Sequence, residues 1–239
     1  MDLFYKILAI SFVFMLTGAI VFRRLNKNSD KTVSRQRNIK LITYIGIVLF
    51  MYVSILFVPM LMYLISAFLI FVALREILNA ADQNHRSVIL PLIIGASILF
   101  AFALFIKDSP PELILFAYFI VVVFDGFSQV IGELLGKRKM LPRISPSKTW
   151  EGFIGGVIAA MIAGFFVFGM KSPEKTFSEI ILIVFSAFAG DVLASWYKRQ
   201  CGIKDFSNLL PGHGGVLDRF DSFFMAGAVL ASLQWFYSH

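Results

Sequence analysis

The sequence predicts an all-α, polytopic integral membrane protein with about eight transmembrane helices. Polar cytoplasmic loops are expected to form its functional site. Three observations lead to this class: the composition, long runs without charge, and an uneven distribution of basic residues. Of the 239 residues, 58% are hydrophobic and only 15% are charged. Soluble domains are about half apolar and about a quarter charged, so this composition lies outside their range.

The apolar runs are long enough to cross a membrane, which takes about 20 residues each. The predicted spans are residues 4–22, 41–57, 60–74, 88–106, 113–132, 152–170, 180–197 and 222–237. The 34 residues between Lys40 and Arg75 carry no charge. As one helix they would measure about 51 Å, too long for a hydrocarbon core about 30 Å thick. Because Pro59 lies near their middle, we expect two short spans joined by a tight turn.

The basic residues divide the loops into two sides. Loops 23–40, 75–87, 133–151 and 198–221 hold 18 of the 22 Lys and Arg residues. Because basic residues near span ends are retained in the cytoplasm, we expect these loops in the cytoplasm and both termini outside. Residues 26–40 are expected to form a solvated linker loop. Basic loops against an anionic leaflet also explain the net charge of +7 without nucleic acid.

Two aspartates, Asp125 and Asp191, lie inside predicted spans, where a charge is costly and usually functional. The alternative is that each span ends early and leaves its acid among the headgroups. Asp191, Ser195 and Lys198 are spaced i, i+4 and i+7, so they share one helix face. A carboxylate beneath basic residues is typical of a metal–phosphate site. The structural alternative is that Lys198 and Arg199 only snorkel at a span end.

A glycine-rich segment, Pro-Gly-His-Gly-Gly at residues 211–215, precedes the last span. Its glycines would let backbone N–H groups approach a phosphate closely. Asp218 and Asp221 follow at i and i+3, so both carboxylates point the same way. Acids in a first helical turn also complement the helix dipole, but the dipole does not explain the flanking His213 and Arg219.

A third polar segment, residues 143–152, reads Arg-Ile-Ser-Pro-Ser-Lys-Thr-Trp-Glu-Gly. Prolines at 142 and 146 restrict the preceding residues and favour an extended chain. Arg143 and Lys148 bracket the Ser-Pro-Ser and offer cations and hydroxyl donors for a phosphate. The structural alternative is a basic loop in which Thr149 caps the following span.

These segments resemble the signature of the phosphatidate cytidylyltransferase (CDP-diacylglycerol synthase) family. From Ser195 to Asp221 the match reads S-x-x-K-R-x4-K-D-x5-P-x-H-G-G-x-x-D-R-x-D, and residues 143–152 resemble the second family hallmark. The resemblance covers roughly residues 120–225. The family usually has Glu before the signature serine, where this chain has Ala194.

The resemblance implies an enzyme, a nucleotidyltransferase that moves CMP from CTP to phosphatidic acid and releases pyrophosphate, with Mg²⁺ or Mn²⁺. It implies N-terminal spans in residues 1–110 and a catalytic membrane region in residues 111–239. The implied catalytic residues are Asp191, Lys198, Arg199, Asp218 and Asp221. The implied substrate-binding residues are Arg143, Ser145, Lys148, Ser195, Lys204, His213 and Arg219. The implied metal ligands are Asp191, Asp218, Asp221, Asp125 and Asp205.

The expected partners are CTP, phosphatidic acid and membrane lipids, without nucleic acid and with a homodimer left open. The expected location is the bacterial inner membrane, with the site facing the cytoplasm. Two alternatives remain: a CTP-dependent lipid kinase, and a catalytically reduced paralogue with a non-enzymatic membrane role. A CDP-alcohol phosphotransferase is disfavoured, because Gln129 and Val130 stand where its signature after Asp125-Gly126 needs Ala-Arg.

Overall fold

The structure is a computed structural model that describes residues 2–26, 31–82, 89–168, 173–210 and 214–238. These ranges contain eight helices and a two-stranded antiparallel sheet. The helices are α1 (Asp2–Asn26), α2 (Lys31–Phe57), α3 (Pro59–Asp82), α4 (Ile89–Asp108), α5 (Pro111–Leu135), α6 (Trp150–Phe168), α7 (Pro173–Gln200) and α8 (Leu217–Ser238). The strands are β1 (Lys139–Leu141) and β2 (Ser145–Thr149). The helical fold class is confirmed.

Five of the described helices are long and apolar enough to cross a membrane. They contain the spans Met60–Asp82, Leu90–Asp108, Pro111–Leu135, Trp150–Val167 and Glu174–Gln200. Shorter apolar helices cover Tyr5–Val21 and Leu41–Phe57. Large apolar side chains such as Phe100 and Phe166 are exposed, as residues in contact with lipid would be. The polytopic membrane class is therefore confirmed, while the number of eight spans stays a prediction.

The observed helix boundaries confirm one of the predicted boundaries and differ from two others. α2 ends at Phe57 and α3 begins at Pro59, so the predicted break is confirmed. Proline suits the first position of a helix, whose N–H has no intrahelical partner. The predicted linker at 26–40 is wrong for residues 31–40, because α2 begins at Lys31, and residues 27–30 lie outside the described residues. Lys, Arg and Gln are good helix formers, so a polar stretch can extend a membrane helix. For the same reason α3 continues to Asp82.

The chain folds into two compact units that alternate along the sequence. The first unit comprises Met1–Tyr52 and Phe119–Val184, and the second comprises Val53–Tyr118 and Phe185–His239. This division follows spatial contacts, whereas the predicted boundary at residue 110 follows the motifs. The motif-based division stays a prediction.

Glycines bring α6 close to α5 in the first unit. A Cβ atom at Gly156 would lie 2.8 Å from the carbonyl oxygen of Phe124, and one at Gly155 would overlap Ile131. Small residues at such positions let membrane helices approach closely and gain van der Waals contact. The rings of Phe124 and Phe153 add an edge-to-face contact with centroids 5.7 Å apart.

The basic segment between α5 and α6 forms a β-hairpin. Lys139 pairs with Thr149, and Leu141 pairs with Ser145. The predicted extended conformation is therefore confirmed for residues 145–149. An all-α description of this fold needs the small sheet added.

Two side chains at the start of α6 accept backbone N–H groups, one from the helix itself and one from the residues before β1. The N–H of Gly152 donates to Thr149 Oγ1 at 3.2 Å, so the predicted cap is confirmed. Glu151 Oε2 accepts the N–H groups of Lys137 and Arg138 at 3.1 and 3.2 Å. The two bonds to Glu151 tie the residues just before β1 to α6, the helix that follows β2.

An aromatic core holds α8 against α4 in the second unit. The ring of Phe102 meets those of Phe223 and Phe224 edge to face, with centroids 5.0 and 4.9 Å apart. Aromatic pairs favour this geometry because the positive ring edge meets the negative face. Gly227 leaves room for it, since a Cβ there would lie 2.6 Å from Phe102.

Another glycine, Gly190, brings α7 close to α8 in the same unit. A Cβ atom at Gly190 would lie 2.5 Å from the carbonyl oxygen of Asp221 and 2.6 Å from Met225 Cβ. A larger residue would therefore force the helices apart. The contact places Asp191, the next residue of α7, beside the first turns of α8.

Candidate active site

The C-terminal turn of α7 reverses the chain after Lys198. Gly202 has a φ of 71°, and its N–H donates to the Arg199 carbonyl at 3.2 Å. The N–H of Ile203 donates to the Lys198 carbonyl at 3.0 Å. This pair of bonds with a left-handed glycine is the Schellman helix ending. The exposed Arg199 side chain donates from Nη1 to the Ile203 carbonyl at 3.0 Å and so stabilises the turn.

The predicted polar face of α7 is present. Ser195 Oγ donates to Asp191 Oδ1 at 3.3 Å. Ser195 is buried and Asp191 is half-buried. The serine hydroxyl therefore holds one oxygen of this carboxylate, as neighbours at i and i+4 on a helix allow.

Lys198 and Asp218 form a buried ion pair in which Nζ lies 2.6 Å from Oδ1. Only 11% of the lysine side chain and 5% of the aspartate side chain are exposed. Asp218 Oδ2 also accepts the N–H groups of Phe206 at 2.7 Å and Gly215 at 2.8 Å. Buried charges are costly unless they are paired and fully hydrogen-bonded, and these three donors satisfy the carboxylate. The pair is thereby fixed in a single geometry.

Asp221 lies on the next turn of α8 and is 9% exposed. Its Oδ1 accepts the N–H of Ser222 at 2.7 Å. Its carbonyl oxygen lies at the close approach to Gly190. The backbones that carry Asp191 and Asp221 are therefore in contact.

The glycine segment uses its N–H groups differently from the phosphate cradle that the sequence suggested. Gly215 donates to Asp218, and Val216 and Leu217 donate to the Glu76 carboxylate at 3.0 and 2.7 Å. Gly214 has a φ of 82°, which glycine adopts without strain. The N–H groups of residues 215–217 thus all donate to carboxylates of the chain itself. Residues 211–213, including the predicted His213, lie outside the described residues.

Glu76 is a residue that the sequence reasoning missed. It is only 3% exposed and lies on α3, in a stretch predicted as the loop 75–87. The signal available was a charged pair, Arg75-Glu76, directly after an apolar span. No sequence spacing links it to partners about 140 residues away.

The remaining predicted residues are distributed over both units. In the first unit Asp125 is half-buried on α5, Ser145 and Lys148 are half-buried on β2, and Arg143 is exposed in the hairpin turn. In the second unit the exposed residues are Lys204 and Asp205, and Arg219 is half-buried. Of the predicted residues in the second unit, Asp191 bonds with Ser195, Lys198 pairs with Asp218, and the carbonyl oxygen of Asp221 meets Gly190, the residue before Asp191.

An apolar cavity of about 80 Å³ lies beside Asp221 in the second unit. Helices α3, α4, α7 and α8 line it with residues such as Ile94, Leu99 and Phe224. Asp221 is the charged residue among the lining side chains. Ala194 also lines the cavity. The family that the sequence resembles usually has Glu at this position, whereas this chain has a small apolar side chain there.

The donor set for a metal ion can be judged from the described side chains. Within the described ranges, no three Asp, Glu, His or Cys side chains are arranged to hold one metal ion. Mg²⁺ in phosphate sites commonly takes one or two carboxylates, with substrate phosphates and water completing its shell. Asp191 and Asp221 fit that donor set. Asp218 fits it less well, because Lys198 and two N–H groups use its oxygens.

The fold is that of a polytopic membrane protein, and its buried lysine and neighbouring aspartates are side chains suited to phosphate chemistry. The model of the cytidylyltransferase family matches residues 2–237. The chain therefore belongs to the cytidylyltransferase family, and the predicted nucleotidyltransferase class is confirmed.

Three relatives illustrate the similarity. A phosphatidate cytidylyltransferase from Rickettsia bellii is 33% identical over 200 residues, which are 77% of this chain and 85% of that protein. A phosphatidate cytidylyltransferase from Staphylococcus haemolyticus is 46% identical over 115 residues, which are 46% of this chain and 44% of that protein. The uncharacterised protein YnbB of Escherichia coli is 46% identical over 101 residues, which are 41% of this chain and 34% of that protein. The chain thus spans most of the first relative and under half of the other two.

Proposed function

We propose that this chain transfers CMP from CTP to the phosphate of phosphatidic acid, giving CDP-diacylglycerol and pyrophosphate. The observation that carries this proposal is the buried Lys198–Asp218 pair, built by the segment that bears the family signature and set beside Asp221. The relatives named phosphatidate cytidylyltransferase support the same reaction. The alternatives of a lipid kinase and a reduced paralogue gain no support from them.

The reaction must bring two anions together. An oxygen of the lipid phosphate attacks the α-phosphorus of CTP, and the bond from that phosphorus to the bridging oxygen of pyrophosphate breaks. A phosphate is already a nucleophile at neutral pH, so positioning and charge neutralisation supply most of the catalysis. Lys198 has three N–H donors, of which Asp218 takes one, and we assign the others to phosphate oxygens.

We assign Mg²⁺, or Mn²⁺, to Asp191 and Asp221 together with phosphate oxygens of CTP. When bound, the metal would neutralise phosphate charge and orient the leaving group. Ser195 would keep the Asp191 carboxylate turned toward it, through the bond at 3.3 Å. Asp218 would act differently, by holding Lys198 in place rather than by coordinating the metal.

The cavity beside Asp221 supports a lipid acceptor. Its lining is apolar except at Asp221, which suits a hydrocarbon chain whose phosphate lies at the polar end. Gly190 and Ala194 leave this space open, because neither fills it with a large side chain.

We place the site on the cytoplasmic face of a bacterial inner membrane. The four basic segments between the predicted spans support this orientation, since they hold 18 of the 22 Lys and Arg residues. In a variant with Cys201 replaced, Lys139→Cys should react with impermeant thiol reagents only from the cytoplasmic side, and Lys175→Cys only from outside. Reaction of both from the same side would contradict the orientation.

Isotope transfer tests the proposed reaction. Purified protein in nanodiscs is given phosphatidic acid, Mg²⁺ and CTP labelled at either the α- or the γ-phosphate. Label should enter the lipid from α-labelled CTP, and γ-label should leave as pyrophosphate. Entry of γ-label into lipid would instead identify a lipid kinase. No lipid labelling from either form would identify a reduced paralogue.

A further inference from the structure

Glu76 is a buried carboxylate on α3 that the proposed reaction does not touch. Its Oε1 accepts the Ser207 hydroxyl at 2.6 Å and the Val216 N–H at 3.0 Å. Its Oε2 accepts the Leu217 N–H at 2.7 Å. It thereby joins α3 to the segment before α8 and to the start of α8 itself.

The physical need for a carboxylate at this place comes from the start of α8. The first N–H groups of a helix have no intrahelical acceptor, and a negative charge there is favourable. A carboxylate buried without partners would be destabilising, but Glu76 has three donors at hydrogen-bond distance. Asp218 adds a second acceptor by taking the Gly215 N–H, as an acid in the first turn of a capping box does.

Gly215 is required by the closeness of Glu76. A Cβ atom at this position would lie 2.7 Å from Glu76 Cδ. Among the described glycines, Gly202 and Gly214 have a positive φ and Gly215 does not, so Gly215 is needed for space and not for an unusual backbone angle. Gly215 thus leaves room for the Glu76 carboxylate of α3.

We propose that Glu76 is a positioning residue for cytidylyl transfer, an inference that rests on the proposed function. Fixing the N–H groups of Val216 and Leu217 fixes the rotation of the first turn of α8. That rotation directs Asp218 toward Lys198 and places Asp221 on the following turn. A reaction that depends on positioning loses rate when such a helix start can shift.

The test compares Glu76→Gln with the wild-type protein in nanodiscs. A glutamine has one acceptor oxygen, and its NH₂ group cannot accept the second backbone N–H. We expect kcat to fall about tenfold or more, and amide exchange at residues 215–217 to accelerate about tenfold while other helices keep their protection. Glu112→Gln, which changes an exposed acid at the start of α5, is the control and should alter neither quantity.

A second pair of variants separates positioning from general stability. Gly215→Ala should lower kcat as Glu76→Gln does, because the new methyl group displaces the carboxylate. Glu76→Asp shortens the side chain, so the double variant Gly215→Ala/Glu76→Asp should regain part of that kcat. Recovery supports positioning even if Glu76→Gln fails to fold.

Three results would overturn the inference: wild-type kcat and exchange in Glu76→Gln, faster exchange throughout the chain, or no recovery in the double variant. Absence of CMP transfer by the wild-type protein would instead defeat the proposed function. The exchange data at residues 215–217 would still show whether Glu76 holds the start of α8.

Discussion

The hairpin before α6 and the α7–α8 region carry the two family-like motifs, and they hold their charges in different ways. Both use a carboxylate to bind backbone N–H groups: Glu151 in the hairpin and Asp218 at α8. In the hairpin Arg143 is exposed and Lys148 is half-buried. In the α7–α8 region Lys198 is buried and paired at 2.6 Å.

The difference indicates which charged groups the fold positions before a substrate binds. A buried cation needs its partner in the folded chain, so the Lys198–Asp218 geometry exists before any substrate arrives. An exposed cation such as Arg143 can instead move to meet a ligand. We therefore expect changes in the α7–α8 region to alter rate and stability, and changes in the hairpin to alter mainly substrate affinity.

The largest effect is expected from Asp221→Asn. If Asp221 binds the metal as proposed, its loss should reduce turnover about 100-fold, which corresponds to about 2.7 kcal/mol, and should raise the Mg²⁺ concentration needed for half-maximal rate. The measurement is a Mg²⁺ titration of CMP transfer. Asp108→Asn, an exposed acid at the end of α4, serves as the control and should behave as the wild type. Wild-type turnover with Asn at 221 would remove this residue from the site.

When one lysine of each region is changed, we expect smaller losses of turnover than for Asp221→Asn, and a loss of stability at only one of the two positions. Lys198→Met leaves Asp218 buried without its cation, and breaking such a pair costs about 3–5 kcal/mol. The thermal midpoint and the turnover should both fall. Lys148→Met should keep the midpoint and raise KM for CTP, since this lysine is half-exposed on β2. Equal loss of stability in the two variants would erase the distinction between the regions.

The smallest effect is expected from Arg199→Lys. If Arg199 gripped a phosphate through its planar guanidinium, lysine would cost about tenfold in turnover. The bond from Nη1 to the Ile203 carbonyl instead indicates a role in the turn that ends α7. We expect a loss of about threefold, which is about 0.65 kcal/mol. A tenfold loss with normal membrane insertion would return Arg199 to the phosphate site.

The features that the sequence predicted depend on residues close together in the chain. The Asp191–Ser195 contact, the break at Pro59 and the Thr149 cap each follow from spacing within one or two turns. The pairing of Lys198 with Asp218 was not predicted as an ion pair, because the chain reversal at Gly202 sets it. Glu76, which accepts the N–H group of Val216, lies about 140 residues from it in the sequence, so only the fold reveals this contact.

Mapping the metal tests the central claim, that the α7–α8 region holds the reacting phosphates, most directly. Fe²⁺ replaces Mg²⁺ in nanodisc-embedded protein with CTP, and ascorbate with peroxide generates radicals that cut the backbone nearby. We predict cuts close to Asp191 and Asp221, identified by mass spectrometry and suppressed both by excess Mg²⁺ and by Asp221→Asn. Cuts confined to the hairpin, residues 139–149, would contradict the account.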